Sequence, residues 1–242
     1  MTYNIIDTDL LELNDNIEIQ FLQGGQNNNH TILIIDNFLK NPEYLISILE
    51  SFPIEKNSTH WWGHQLPFDW KFPKLRNAVN FLAREYFNVT HVKDVSSEIA
   101  LQFNLVPGNK DAWNSNMVPH IDQAVVAGSI FLNDDKDCRG GTGFYKHKKS
   151  NIDYEISYVD ETFKETAHYW AINETYKLIK EHDHIVTFDS RKINADDWEL
   201  QFIAEAKYNR FVMHPSYIFH APYIEKDWYL NKERISLAVF VT

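Results

Sequence analysis

The chain has 242 residues, and 23 basic against 34 acidic side chains leave a formal charge of −11. A net-acidic chain has no electrostatic footprint for nucleic acid or for an anionic membrane surface, so neither is an expected partner. Hydrophobic residues at 44% and charged residues at 24% fit a folded soluble protein, and the one cysteine, Cys138, can form neither an intramolecular disulfide nor a thiolate metal cluster by itself.

Met1–Asp7 lacks the basic start and apolar core of a signal peptide. No apolar run approaches the roughly 20 residues of a membrane span, so the expected location is the cytoplasm. Asp15 to Leu22 alternates through Ile17, Ile19 and Phe21 and reads as a first strand. His30 to Asp36 is a short apolar run suited to a buried second strand. Asn41-Pro42 then combines an N-cap with proline at the first helical position, and Leu45, Ile48, Leu49 and Phe52 supply the apolar face. A second helix is expected from near Pro73, where Leu75, Val79, Leu82 and Tyr86 recur at three and four residues.

After Ser97 the period changes to two. Ile99, Leu101, Phe103 and Leu105 share one face of a strand over 98–106, with Gln102 and Asn104 on the other. Ala124 to Leu132 is a further strand that ends in the turn Asn133-Asp134-Asp135. Gly140-Gly141-Thr142-Gly143 leads into Phe144-Tyr145-Lys146. Residues 151–197 hold no period for long and read as an insertion with a helix around Glu174 to Lys180. Alternation returns at Leu200, Phe202, Ala204 and Ala206, then at Phe211 to Met213 after Asn209-Arg210, and last at Ile235 to Val241. No Pro/Gly/Ser linker divides the chain, so the expectation is a single domain over 1–242, mainly β with N-terminal helices.

Pro119-His120-Ile121-Asp122 sets an imidazole and a carboxylate two residues apart, on one side of an extended chain. Alone, such a triplet is a weak signal in a chain with eleven histidines. A second histidine, His220, closes the apolar segment Tyr217-Ile218-Phe219, and Arg234-Ile235-Ser236 opens the last strand fourteen residues later. Two histidines and one carboxylate leave three coordination positions open, the ligand set of non-haem Fe(II) that binds a cosubstrate and oxygen. Arg234 and Ser236 share a strand face, where guanidinium and hydroxyl suit a carboxylate. His214 is the rival third ligand, but it lies twenty residues before Arg234 and precedes the Pro215-Ser216 turn, which favours His220.

With these residues in this order, the chain resembles the Fe(II)/2-oxoglutarate-dependent dioxygenases of the hydroxylase-like branch. Ile34-Ile35-Asp36-Asn37-Phe38-Leu39 resembles the branch's first strand and helix lead, and Asn209-Arg210-Phe211-Val212 its strand before the distal histidine. Gly140-Gly141-Thr142-Gly143-Phe144-Tyr145 resembles its Gly-Gly strand, with Gly143 in place of the usual leucine. The resemblance covers residues 30–242 less the insertion at 151–197. It implies a double-stranded β-helix, a jelly-roll or cupin-like barrel, with His120, Asp122 and His220 as both catalytic and metal residues. It implies Fe(II), 2-oxoglutarate and O2 as cofactors, with Arg234 and Ser236 on the cosubstrate; Gln102 and Asn104, on the polar face of their strand, are candidates for hydrogen bonds to cosubstrate or substrate.

The implied reaction hydroxylates a C–H bond of an amino acid, peptide side chain or small metabolite and releases succinate and carbon dioxide. A carboxylate at Asp122 favours this over halogenation, which needs a small residue there. Two other readings stand beside it: a non-catalytic barrel that binds a ligand, and a cupin-type metal enzyme without 2-oxoglutarate. Trp61, Trp62, Trp113, Gln123 and Tyr145 are candidate pocket residues. His182-Asp183-His184 reads as a solvated turn, while His60, His64, His91 and His168 carry no spacing signal.

Overall fold

The computed structural model describes residues 12–25, 30–51, 73–89, 102–106, 119–122, 124–148, 151, 153–154, 198–225, 228–229 and 234–241. Trp61, Trp62, Trp113, Gln123, the His182-Asp183-His184 triplet, the four histidines without spacing signal and the expected helix at 174–180 lie outside these residues. Within them the chain is mainly β. The elements in order are β1 (Glu18–Gly24), β2 (His30–Asp36), α1 (Pro42–Ser51), α2 (Pro73–Phe87), β3 (Gln102–Val106), β4 (Val126–Phe131), β5 (Gly141–His147), β6 (Trp198–Glu205), β7 (Arg210–Pro215), β8 (His220–Tyr223) and β9 (Arg234–Val241).

The strands form two antiparallel sheets, one of six strands in the order β1-β2-β7-β4-β9-β3 and one of three in the order β6-β5-β8. Period-two alternation sends the side chains of the larger sheet to two apolar layers. Leu33, Ile35, Val126, Ile130, Phe211, Met213, Leu237 and Val239 face the helices, where Leu45 of α1 and Leu75, Val79 and Leu82 of α2 cover them. Ile32, Ile34, Phe131 and Val212 face the other way and meet Phe144 and Ala204 of the smaller sheet. Both helices start at a proline, where the missing N–H costs no hydrogen bond.

Two motifs far apart in sequence clasp each other at one end of the larger sheet. Asp36 is buried and accepts hydrogen bonds from Arg210 Nη2 at 2.9 Å and Lys207 Nζ at 2.8 Å. Asn209, in the left-handed region at φ 57°, donates through its side chain to the Leu39 carbonyl at 2.7 Å and accepts from the Leu39 N–H at 2.9 Å. Asparagine tolerates that backbone better than other non-glycine residues.

Strand β8 was not foreseen as a strand, because Ala221-Pro222 interrupts any alternation. Proline is accommodated because β8 stands at the edge of the smaller sheet. The remaining strands fall within a few residues of expectation, with β1 displaced toward Gly24 and β6 beginning at Trp198.

Candidate metal centre

His120 and His220 face each other across an isolated antiparallel bridge, each backbone N–H donating to the other's carbonyl at 2.9 and 3.0 Å. Asp122 follows one pleat later, its N–H donating to the Ser216 carbonyl at 3.2 Å, while the Ser216 hydroxyl donates to the Ala124 carbonyl. Ile121, between the two ligands, points the other way and packs with Tyr145, Trp198 and Phe219. The alternation that turns Ile121 toward this cluster therefore presents His120 and Asp122 together. Tyr145, a candidate pocket residue, belongs to this outer cluster and not to the centre.

The three ligand atoms of His120, Asp122 and His220 lie within 4.8 Å of one another. Asp122 Oδ2 is 3.0 Å from His220 Nε2, and Oδ1 is 3.8 Å from His120 Nε2. His220 Nδ1 lies 2.8 Å from the Ile218 carbonyl. A carbonyl oxygen only accepts, so Nδ1 carries a proton and Nε2 of the neutral ring presents a lone pair to the carboxylate. Two acceptors at that distance require a proton or a cation between them. Anchoring the distal N–H on a carbonyl is also how metal-binding histidines are oriented. The donor set and its tautomers fit a divalent metal ion.

The electrostatics agree with the geometry. Burial pushes the Asp122 carboxyl upward, but His220 and then His120 outweigh it and hold the group far below the usual carboxylate range. Burial lowers His220, and the adjacent Asp122 carboxylate more than reverses this, leaving its pKa above the ordinary histidine value. A third histidine belongs to the same neighbourhood. His214 is buried, its ring centroid is 4.3 Å from that of His220, and Phe144 meets its edge at 5.2 Å. Burial, reinforced by His220, takes its pKa down to about 3, so the ring is neutral. It does not join the three-ligand group, and its Nδ1–H is directed to the Pro215 carbonyl at 3.0 Å.

Arg234 is buried inside the fold with its guanidinium 5.3 Å above the Phe131 ring. Its contacts are long, 3.5 Å from Nη1 to Ser236 Oγ and 3.4 Å from Nη2 to the Gly141 carbonyl, and its Nε has no hydrogen-bond partner. Among the described residues no carboxylate pairs with it. Burial lowers its pKa, but a guanidinium stays charged. An uncompensated buried cation costs several kcal/mol, and an anion held there offsets that cost.

The register sets Asn104 opposite Ser236 and Gln102 opposite Ala238. Among the predicted site residues, His120, Asp122 and His220 form one group, and the pairing of β3 with β9 sets the backbone of Asn104 next to Ser236. What sequence reasoning missed is how near His214 comes to His220. Period two from Val212 already placed it on the inter-sheet face with that residue.

No curated protein and no solved structure is a significant match to the chain. Residues 15–236 match a family described as being of unknown function, DUF6445, and that span includes all of the metal centre and Arg234 with Ser236. With so much of its length matched, the chain belongs to the DUF6445 family.

Proposed function

We propose that the protein is an Fe(II)- and 2-oxoglutarate-dependent oxygenase that hydroxylates a C–H bond of an amino acid, a peptide side chain or a small metabolite. The observation that carries this reading is a combination: an open two-histidine, one-carboxylate group and, three residues further along β5, a buried arginine with no carboxylate partner among the described residues. A metal enzyme without 2-oxoglutarate has no use for that arginine, and a binding module has no use for the metal group.

The strand order also supports a double-stranded β-helix. From β3 onward, eight segments divide between the sheets, with β3, β4, β7 and β9 in one. β5, β6 and β8 form the other, and the His120 bridge extends it past β8. Bound together, Fe(II), 2-oxoglutarate and O2 supply the oxidation that places one oxygen atom in the substrate and leaves succinate and carbon dioxide. His120, Asp122 and His220 would hold the metal and leave three positions for exchangeable ligands. Arg234 would bind a carboxylate of the cosubstrate, assisted by Ser236, and orient its other end toward the metal. Along β5, Gly141 beside Arg234 and Phe144 opposite His220 are three residues apart, about 10 Å at the rise of a strand. A five-carbon dicarboxylate chelating a metal spans a gap of that order. Phe144 and Phe131 keep the space between apolar, which strengthens both ionic contacts.

The test is succinate release from 2-oxoglutarate by the Fe(II)-loaded protein, with and without candidate substrates. Wild-type protein releases succinate, and Arg234→Ala raises the 2-oxoglutarate requirement at least thirtyfold, the equivalent of about 2 kcal/mol or more for an unpaired buried charge partner. A protein that binds Fe(II) but never consumes 2-oxoglutarate refutes the assignment.

A further inference from the structure

The space between the two sheets is not packed evenly. Its apolar cluster takes Ile32 and Ile34 from β2, Val212 from β7 and Phe131 from the end of β4, and it includes no residue of β9. On the same inward face β4 carries Ala127 and Ser129 ahead of Phe131, and β9 carries Arg234, Ser236 and Ala238 ahead of Phe240. Val126 and Ile130 of β4 belong to the helix-side core, so Ala127, Ser129 and Phe131 face inward. Register puts Ala127 between His214 and Phe240, Ser129 between Val212 and Ala238, and Phe131 between Arg210 and Ser236. Serine paired with alanine, where a core would carry leucine or valine, leaves room at the middle of β4.

Ser129 stands in the middle of this row. It is partly exposed, while its neighbours Gly128 and Ile130 on the strand are buried. A residue central in a sheet, with β7 and β9 on its two sides, gains exposure only through the inter-sheet face. Two residues in one direction lies the row of His214, beside the metal centre; two in the other lies the row of Ser236, beside Arg234. The whole interval from Ala127 to Phe131 is four residues, roughly 13 Å of strand.

We propose that Ser129 is a specificity-determining residue of the anion lane: its hydroxyl donates to an oxygen of the dicarboxylate held by Arg234, and its small size sets the width of the lane. This rests on the oxygenase reading above. It adds a contact between metal and guanidinium that is sensitive to the length and width of the bound dicarboxylate. A larger side chain at 129 closes the lane without touching the metal ligands, whereas alanine there keeps the width and removes the hydroxyl.

The experiment is calorimetric titration of the full chain, loaded with redox-inert Mn(II), with 2-oxoglutarate, glutarate and succinate. Wild type, Ser129→Ala and Ser129→Val are compared, and Mn(II) affinity is measured separately for each. We expect Ser129→Ala to weaken 2-oxoglutarate about tenfold, as for a lost hydrogen bond to a charged ligand. Ser129→Val weakens it thirtyfold or more, and both variants keep Mn(II) affinity within twofold. If Ser129→Val does not fold, the alanine variant decides alone. 2-Oxoglutarate affinity within twofold of wild type in the folded variants overturns the role of Ser129 and leaves the oxygenase reading standing, as does a loss of Mn(II) affinity in step with it. A Mn(II)-loaded wild type that binds none of the three dicarboxylates overturns both.

Discussion

Asp122 holds the centre together, because its two oxygens face the two histidines at 3.0 and 3.8 Å. Asp122→Ala should reduce metal affinity more than a hundredfold, by direct titration, and abolish succinate release; metal binding near the wild-type level would show that the ligands lie elsewhere. The same contact predicts a pH profile. Without metal, His220 has a raised pKa because Asp122 outweighs the effect of burial, so below that pKa the ring holds a proton the metal must displace. Asp122 stays ionised throughout and does not compete. Metal affinity should therefore fall as pH drops through the raised His220 value and level off above it. Titrations from pH 5.5 to 8.5 that give a flat profile would count against His220 as a ligand. His214 acts on this pair by contact. His214→Phe keeps a ring against His220 and should hold metal affinity within about threefold, whereas His214→Ala should lose roughly ten- to a hundredfold, the range for groups that orient a ligand.

At the scale of elements, the short motifs that made the sequence legible have two different uses. His120, Asp122 and His220 lie together, and period two accounts for His120 and Asp122 sharing one side of their segment. Asp36-Asn37-Phe38 and Asn209-Arg210 form a clasp instead, since their polar groups are spent on one another. Nothing in their local pattern says so, as the two segments lie more than 170 residues apart and only the β2–β7 pairing joins them.

Arg210→Ala leaves the buried Asp36 carboxylate with Lys207 alone and should cost about 3 kcal/mol or more, a fall in Tm of roughly 6–12 °C for a chain of this size. Asp36 also sets a pH window. Hydrogen bonding to Arg210 lowers its pKa against the opposing effect of burial. The stabilisation is therefore complete above the unfolded carboxylate value near about 4 and is lost as pH falls below it through the folded value. Acid denaturation followed by circular dichroism should be shallower for Asp36→Asn. The bound of legibility is clear at Ser129: the sequence places it on a strand, but only the register against β7 and β9 puts it midway along the lane.

Across the whole molecule, a ligand that binds only the folded chain stabilises it by mass action. A metal at a hundred times its Kd adds about 2.7 kcal/mol, or roughly 5–10 °C in Tm. Calorimetry with Fe(II) or Mn(II) against a chelator should show that difference for wild type and lose it for Asp122→Ala. No helix among the described residues is long and apolar enough to cross a membrane.

Asp122 and His220 stand 98 positions apart along the chain, with β4 to β7 between them. Coordinated by one ion, they act as a removable cross-link that closes this span, comparable in reach to a disulfide tying a long loop. A link of that length closes only once the chain around Asp122 meets Ser216 and the His120–His220 bridge forms, contacts of high loop-closure cost that are expected late in folding. Metal should therefore leave the refolding rate nearly unchanged and slow unfolding by close to the full equilibrium effect. An ion held there would then also set how long the folded chain survives between unfolding events.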